Sequence, residues 1–509
     1  MTFDDPFTGY SFLLRTIVYV VVPAFTAFQF VRLRRALHVF QLEAYKRRNY
    51  RRWLAANGDK SWFLRPGTAK KPLVMTGRAW RIVVAATLLS LLGVLLPSAA
   101  AHLFLGGAPA DLIAWALATV AAFVWAPLFV PAADWLLAPV QDAVNARYLR
   151  LAKRKLAEVH PTVVGITGSY GKTSTKFAVG RLLGPESEVL VTPGSFNTTM
   201  GVVRAINEGL EPRHRFFVVE MGARQRGDVA EIGRLVGHDV AVLTAIGTAH
   251  LASFGSRDAI REGKLEIVRT LRPGGVAVVN SDDSTIRGLG SELAGVDVIR
   301  YGLDAAGEPD VTATGVETTR SGTALTIVDR RSGASVRATT RLLGRHSIGH
   351  VLAGVAVALH AGRDLDSLRD PIAALTPVEH RLQLIDAPGG VTVIDDAFNS
   401  NPDGAAAAFE VLGSMPARQR IVVTPGIVEL GELQRSANEG LGRAAAGVAD
   451  VLIVVARLNR EAILTGAASG RARVVTVGSL DEATKELATI VASGDVVLFE
   501  NDLPDQYEG

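Results

Sequence analysis

The chain contains no cysteine. That excludes disulfides, thiolate metal centres and a cysteine nucleophile. Acidic residues are scarce in one stretch, since residues 32–81 hold 14 Lys and Arg against only Glu43 and Asp59. Three runs lack Asp, Glu, Lys and Arg altogether, residues 16–31, 82–105 and 112–131. Each is near the roughly 20 apolar residues that a helix needs to cross a bilayer. Extending the first run back to Ser11 brings in Arg15, whose long stem lets its guanidinium reach the interface. Residues 11–31, 82–105 and 112–131 are therefore expected to be transmembrane helices.

The connection from Leu105 to Asp111 has no basic residue, so the basic loop between the first two runs marks the cytoplasmic side. This places the N-terminus outside and everything after about residue 135 in the cytoplasm, and predicts a multi-pass protein of the cytoplasmic membrane. A cleaved signal peptide is not expected, because the first run has no basic segment before it. Residues 1–160 carry 20 Lys and Arg against 8 Asp and Glu, whereas the remainder carries 34 against 42. The positive charge thus lies where anionic headgroups would be, so membrane lipids rather than nucleic acid are the expected partner. Arg47, Arg48, Arg51 and Arg52, interleaved with Tyr45, Tyr50 and Trp53, offer a second reading as a grip on the phosphates of a lipid-linked substrate.

From residue 161 onward, β-branched runs alternate with Ala/Leu-rich amphipathic stretches: Phe216 to Glu220, Val240 to Ile246, Val276 to Asn280, Val391 to Asp395, Ile421 to Thr424, Val451 to Val455 and Val496 to Phe499. This is the rhythm of a parallel α/β fold. Between Val311 and Leu343 polar and apolar residues alternate, which predicts a hairpin ahead of the next helix. A boundary is expected near Pro377. The fold class is α/β, with N-terminal transmembrane helices in a membrane region (residues 1–160), a P-loop-type central ATPase domain (161–378) and a Rossmann-like C-terminal domain (379–509).

Residues 165–175 read Gly-Ile-Thr-Gly-Ser-Tyr-Gly-Lys-Thr-Ser-Thr, between a predicted strand at 161–164 and a predicted helix at 175–183. Glycines at a strand-to-helix turn let backbone amides face an anion, and the helix N-terminus adds positive potential. Gly168, Ser169, Gly171, Lys172, Thr173 and Ser174 are the candidate phosphate-binding residues, with Lys172 as the mobile cation and Thr173 as a Mg²⁺ ligand. Position 166 is Ile, so the G-x-x-x-x-G-K-[ST] pattern is met only in its second half. Glu220, His250 and Lys264 follow at or beyond strand ends, where open α/β sheets bind ligands. Taken singly, these three also read as an exposed Glu, a capped His and a solvated Lys.

The order of these segments resembles the Mur ligase family over roughly residues 161–500. Thr167 to Ser174 is similar to the family's phosphate loop and Thr192 to Gly201, with Asn197, to its Asn-rich loop. Val219 to Ala223 resembles its acidic metal-binding strand end, and Gly247 to Ser256 its histidine segment. Lys264 falls where several members carry a lysine carbamylated by CO₂. His380-Arg381-Leu382 and Asp395 to Pro402 resemble the segments that open the C-terminal domain. The resemblance implies ATP-dependent joining of a carboxylate to an amine through an acyl phosphate. It implies ATP and two Mg²⁺ as cofactors, with metal ligands Thr173, Glu220, His250 and carbamylated Lys264. Lys172, His250 and Lys264 are the implied catalytic residues. Asn197, Arg381, Asp396, Asn399 and Asn401 join the phosphate loop in holding the nucleotide. The implied substrates are a carboxylate-bearing peptidoglycan or other envelope precursor and an amine, D-alanyl-D-alanine or another.

Three departures stand out. A membrane segment occupies the place of the family's UDP-binding domain, the His-Asn pattern before an Ala-rich helix appears as His346-Ser347, and the Lys-Gly-Ser-Arg-like turn is replaced by residues 499–507, Phe-Glu-Asn-Asp-Leu-Pro-Asp-Gln-Tyr. That acidic loop reads equally as a site for a cationic or amine-bearing acceptor and as an exposed, solvated C-terminal tail. The alternative from another class is a membrane-bound nucleotide-switch ATPase without ligase activity, which should show a Walker-B aspartate after an apolar strand.

Overall fold

The computed structural model describes residues 20, 22–56, 72–105, 108–319, 322–398, 400–455 and 457–503. The chain forms two compact units that divide between Ala146 and Arg147. In the first, α1 spans Val22–Leu42, α2 Arg47–Ala56, α3 Gly77–Leu105 and α4 Ala108–Leu136, while α5, Ala138–Val159, begins there. Leu33, Leu37 and Phe40 of α1 pack with Tyr50, Ile82 and Val130 as its core.

Among the described residues, two helices are long and apolar enough to cross a membrane, Gly77–Phe104 and Ile113–Leu136. They cover the second and third expected spans to within one residue. The first expected span lies outside the described residues at 11–19 and 21, and its residues 22–31 open α1, which continues through Arg32, Arg34 and Arg35 instead of ending at the charge. Only 22% and 33% of the most apolar windows of the two long helices is buried. Leu88, Leu96, Phe104, Leu117 and Trp125 point outward. A helix at the core of a water-soluble domain would turn such residues inward.

The second unit holds two sheets. The first comprises β1 Thr162–Thr167, β2 Val189–Val191, β3 Phe216–Glu220, β4 Val240–Leu243, β5 Val276–Asn280, β6 Asp297–Tyr301, β7 Val311–Thr319, β8 Gly322–Asp329 and β9 Ser335–Thr340, in the order β2-β3-β1-β4-β5-β6-β7-β8-β9. The pairings from β2 to β7 are parallel, and β7, β8 and β9 are antiparallel. The burial patterns explain the division. β1 is buried at five consecutive positions, as a strand covered on both faces must be, whereas β9 alternates. The predicted hairpin is therefore a three-stranded meander that extends the main sheet through Tyr301 and Val311.

Successive residues of β1 serve opposite faces. Val164 and Ile166 pack with Leu182 of α6 (Lys172–Leu183), whereas Val163 packs with Phe217, Val219 and Ile206 of α7 (Thr199–Gly209). α6 begins three residues earlier than predicted, so Lys172 and Thr173 sit in its first turn. β1 is central, and the chain leaves it on the β3 side before returning across it to β4, which makes the carboxyl end of β1 a switch point where ligands bind.

The second sheet comprises β10 Gln383–Ala387, β11 Val391–Asp396, β12 Arg420–Thr424, β13 Val451–Val455, β14 Arg473–Val477 and β15 Val496–Glu500, in the order β10-β11-β15-β12-β13-β14. Only β10 pairs antiparallel. Its two faces carry separate cores, one with Val422, Leu452 and Leu498 and the other with Val423, Ile453 and Val497.

In the first unit, α4 contains Pro127 and Pro131. A proline has no N–H to donate four residues back, so these two leave the carbonyls of Phe123 and Pro127 without their helical donors. Arg32 Nη1 donates to Phe123 O at 2.7 Å, and the buried Tyr50 hydroxyl donates to Pro127 O at 2.9 Å. Side chains of α1 and α2 thus replace both missing backbone donors. Tyr50→Phe is expected to cost about 1–3 kcal/mol, the usual penalty for an orphaned buried acceptor. In a Pro131→Ala background, which restores the backbone donor, most of that cost should vanish. Thermal unfolding of the four proteins in detergent checks this, and equal losses in both backgrounds would contradict it.

Candidate active site

The turn after β1 is held by the end of β4. Ser169 N donates to Ala245 O at 2.8 Å, Thr244 Oγ1 to Tyr170 O at 2.5 Å, and Gly247 N to Ser169 Oγ at 2.9 Å. Two glycines are required by this packing. A Cβ on Gly168 would lie 2.0 Å from Thr244 Oγ1, and Gly171, at φ 77°, would direct one to 2.7 Å from the His350 ring. Lys172 Nζ folds back to donate to Gly168 O at 2.7 Å and Ser169 O at 3.3 Å. Burial lowers its ammonium to about 8, with Glu220 opposing and Arg381 adding to the shift.

Glu220 ends β3 and is fully buried. Its Oε1 accepts from Asn197 Nδ2 at 3.0 Å, and its Oε2 lies 3.1 Å from Lys176 Nζ without hydrogen-bond geometry. Burial alone would raise the Glu220 carboxyl, but the charges of Lys176 and Lys172 and the hydrogen bond from Asn197 hold it below the usual range. Lys176 is itself buried on α6 and donates to Gly194 O at 2.5 Å. The sequence reading missed it, although Lys172 and Lys176, one turn apart at a helix N-terminus, are like charges that demand a nearby anion.

His250 and Lys264 lie beyond β4. His250 adopts a left-handed conformation, φ 62°, just before the short helix Leu251–Phe254. Its Nδ1 is 2.7 Å from Glu429 Oε2, which comes from the loop after β12 in the second sheet and was also missed. Lys264 sits on the helix Arg257–Arg269, begun by a Ser256 cap, and is 1% exposed. Among the described residues no carboxylate pairs with it. Burial, and next the Lys172 charge, push its ammonium well below the ordinary lysine value against the weaker pull of Asp228 and Glu266. A neutral amine at that position is a nucleophile. Lys172 is thus the hub of this group, close enough for its charge to be felt by Glu220, His250 and Lys264.

The second sheet supplies the opposite wall. Arg381 stacks 4.6 Å over the Phe398 ring. Burial lowers its pKa and the carboxylates of Glu220 and Asp396 counter that, so its guanidinium lies within reach of charges from both sheets. Asp396 ends β11 and accepts from Leu382 N at 3.1 Å, and burial raises it to about 6. Asn401 Oδ1 accepts from Gly404 N at 3.0 Å and so caps the helix Pro402–Ser414. Asn399 lies outside the described residues. A cavity of about 460 Å³ is bounded by Gly171 and Ser174 on one side, by Arg381, Asp396 and Asn401 on the other, and by Asn280, Asp283, His346 and His350. Lys172, Thr173, Glu220, His250 and Lys264 do not line it. The predicted residues therefore form two groups that meet at the glycine turn after β1, one around the cavity and one around Lys172.

Among the described residues no three His, Asp or Glu side chains gather as a metal cage. Glu220 Oε2 nevertheless lacks a hydrogen bond, and only Nδ1 of His250 is engaged. Few protein ligands, completed by phosphate oxygens and water, are what Mg²⁺ takes at a nucleotide, so the residues present fit a nucleotide-bound Mg²⁺ and not an all-protein site.

Residues 166–358 match the Mur ligase middle domain and residues 380–500 the Mur ligase glutamate ligase domain. The UDP-N-acetylmuramoyl-tripeptide–D-alanyl-D-alanine ligase of Mycobacterium tuberculosis (strain ATCC 25618 / H37Rv) is 33% identical over 378 residues, 70% of this chain and 71% of that protein. The Escherichia coli (strain K12) enzyme of the same name is 33% identical over 312 residues, 60% and 68% of the two chains. Among solved structures, MurF from Acinetobacter baumannii aligns with a TM-score of 0.64 at 27% identity, covering 71% of this chain and 78% of that one. MurF from Thermotoga maritima in complex with ADP aligns at 0.63 and 28%, covering 70% and 80%. With its α/β sheets, its glycine turn and its paired Glu220 and Lys176 laid out along these matched segments, the chain belongs to the Mur ligase family.

Proposed function

We propose that the protein is an ATP-dependent, ADP-forming carboxylate–amine ligase that acts on a peptidoglycan or other envelope precursor. A carboxylate oxygen of the precursor bonds to the γ-phosphorus of ATP and ADP leaves, giving an acyl phosphate. The amine nitrogen then bonds to the acyl carbon, inorganic phosphate leaves, and the amine gives up a proton. The observation that carries this reading is the gathering of cationic side chains, Lys172, Lys176 and Arg381, about the buried carboxylate Glu220. Such a site is preorganised for a polyanion whose charge shifts during transfer.

Backbone amides of Gly168 to Ser174 and the α6 N-terminus hold the phosphates, and Lys172 and Arg381 balance their charge. Asp396, Asn401 and Asn399 position the nucleoside, with Asn197 steadying Glu220. Thr173, Glu220, His250 and Lys264 would hold Mg²⁺, two ions in all, and Mg²⁺ supplies the positive charge that offsets the phosphates. Lys264 takes part through its neutral amine, which bonds to CO₂ and loses a proton. The product is an anionic oxygen donor in place of a repelling cation.

The relatives are named for joining D-alanyl-D-alanine to a UDP-linked muramoyl tripeptide. The carboxylate partner here is a peptide precursor of that kind, UDP-linked or lipid-linked, and the amine is D-alanyl-D-alanine or another. We place residues 161–378 and 379–509, as central and C-terminal domains, in the cytoplasm, and assign contact with membrane lipids to residues 1–160. The outward apolar faces of the two long helices support that placement.

The expectation of an acidic acceptor loop needs correction at its first residues. Glu500 is fully buried, accepts from Ser400 Oγ and faces Asp396 across the β11–β15 pairing, while Asn501 donates to Gly426 O at 2.6 Å. Neither offers charge to an acceptor, because the strand end is folded into the second sheet. Residues 504–507 of that loop lie outside the described residues.

Detergent-solubilised protein with Mg²⁺ and bicarbonate should release ADP and phosphate only when both a carboxylate precursor and an amine are present. An amide should be found by mass, and Lys172→Ala should abolish the release. Steady hydrolysis indifferent to every acceptor would favour the nucleotide-switch reading instead. A second expectation concerns Glu500, whose carboxyl is pushed well above the usual range, first by burial and then by the Asp396 charge. An acid with a raised folded-state pKa lowers stability once pH rises past its unfolded value of about 4.3. Glu500→Gln should therefore raise the unfolding midpoint at pH 8, and the gain should fade as pH falls towards 4. A gain that does not vary with pH would contradict this.

A further inference from the structure

The loop after β12 leaves the second sheet, crosses to the first, and returns. It is stiff at its base. Ile427 N donates to Asn438 Oδ1 at 2.8 Å, Asn438 Nδ2 donates back to Ile427 O at 2.9 Å, and Asn459 Nδ2 donates to Pro425 O at 3.2 Å. At its tip Glu429 has φ 67°, a left-handed conformation that a non-glycine residue rarely adopts. It meets His250, whose φ of 62° is equally unusual, on the other side of the cleft. Two such residues facing each other mark backbone held in an unfavourable state by its surroundings, as happens where side chains must be aimed. The contact has two parts. His250 Nδ1 lies 2.7 Å from Glu429 Oε2, and Ala252 N donates to Glu429 O at 3.2 Å.

A carboxylate accepts only, so a neutral His250 must carry its proton on Nδ1 and leave the Nε2 lone pair free. We infer that Glu429 is a positioning residue of the second sheet that fixes the tautomer and orientation of His250, so that the His250 donor towards a nucleotide-bound divalent cation is complete only when the two sheets are closed on each other. The inference rests on the reading of His250 under Proposed function. Glu429 touches no reacting atom. Its effect passes through the imidazole, in the way that carboxylates hydrogen-bonded to ligating histidines act in metal sites. The arrangement makes metal binding report on closure, because Asn438 and Asn459 tie Glu429 to the second sheet while His250 belongs to the first.

The test is Mn²⁺ binding, read by electron paramagnetic resonance, to the full chain in detergent with saturating ADP. Glu429→Ala should weaken Mn²⁺ binding about tenfold. Glu429→Gln, whose amide oxygen still accepts from Nδ1–H, should recover most of the loss. ADP binding in EDTA should be unchanged, which a general loss of structure would not allow. In a His250→Ala background the Glu429 substitutions should have no further effect on Mn²⁺. Should Glu429→Ala fail to fold, Glu429→Gln and the His250→Ala/Glu429→Gln pair carry the comparison, with the glutamine proteins expected to track their backgrounds. Parent-like Mn²⁺ affinity in Glu429→Ala, or additive losses in the double variant, would overturn the inference. Because no turnover is involved, failure of the parent reading shows separately, as a parent chain that binds no Mn²⁺ with ADP.

Discussion

The second unit depends on one buried carboxylate surrounded by cations. Glu220 lies at the end of β3 with Lys176 at 3.1 Å, Asn197 at 3.0 Å and the charges of Lys172 and Arg381 close by. A buried ion pair is weak support for stability, since desolvation cancels much of its attraction, and a cluster with more cations than anions is worse still. Such an arrangement makes sense where an anion completes it. The glycine turn, the helix N-terminus and the second sheet all converge on that place, and burial and the Lys172 charge lower the Lys264 ammonium well below the ordinary lysine value. The same excess of positive charge that costs stability gives a phosphoryl-transfer site its field.

The two sheets meet in specific contacts, among them His250 Nδ1 and Ala252 N on Glu429, and the charge of Glu220 is felt by Arg381 across the cleft. The cavity between them is walled on one side by Gly171 and Ser174 and on the other by Asp396 and Asn401. On the proposed reading a nucleotide in that cavity touches both walls, which is how the cleft would exclude water during transfer to a carboxylate.

Much of this was legible in the chain because local patterning and local motifs carried it. Continuous apolar runs such as Val451 to Val455 are strands buried on both faces, and the alternation after Val311 is a sheet edge with one wet face. The Gly-Lys-Thr sequence marked a strand-to-helix turn, and the structure has one there, between β1 and α6. What stayed hidden depends on pairings across long separations. His250 and Glu429 are 179 residues apart, and no local pattern links them. Glu500 and Asn501 looked like an exposed acidic tail because composition says nothing of depth, whereas β15 pairs between β11 and β12 and draws them inside. Lys176 could have been found, since a second lysine one turn along from Lys172 is unfavourable unless a carboxylate lies opposite.

The first unit follows other rules. Its long helices turn leucines and tryptophans outward, and its interior answers the two prolines of α4 with Arg32 and Tyr50, so polar side chains there repair backbone as much as they offer charge. The central claim concerns the second unit, that the cation cluster serves transfer of a phosphoryl group to a carboxylate. The direct measurement is isotopic: carboxylate precursors labelled with ¹⁸O are turned over with ATP, Mg²⁺ and amine, and the released phosphate is analysed by mass. Transfer through an acyl phosphate places one ¹⁸O in each phosphate formed. Phosphate whose new oxygen comes only from water would contradict the account.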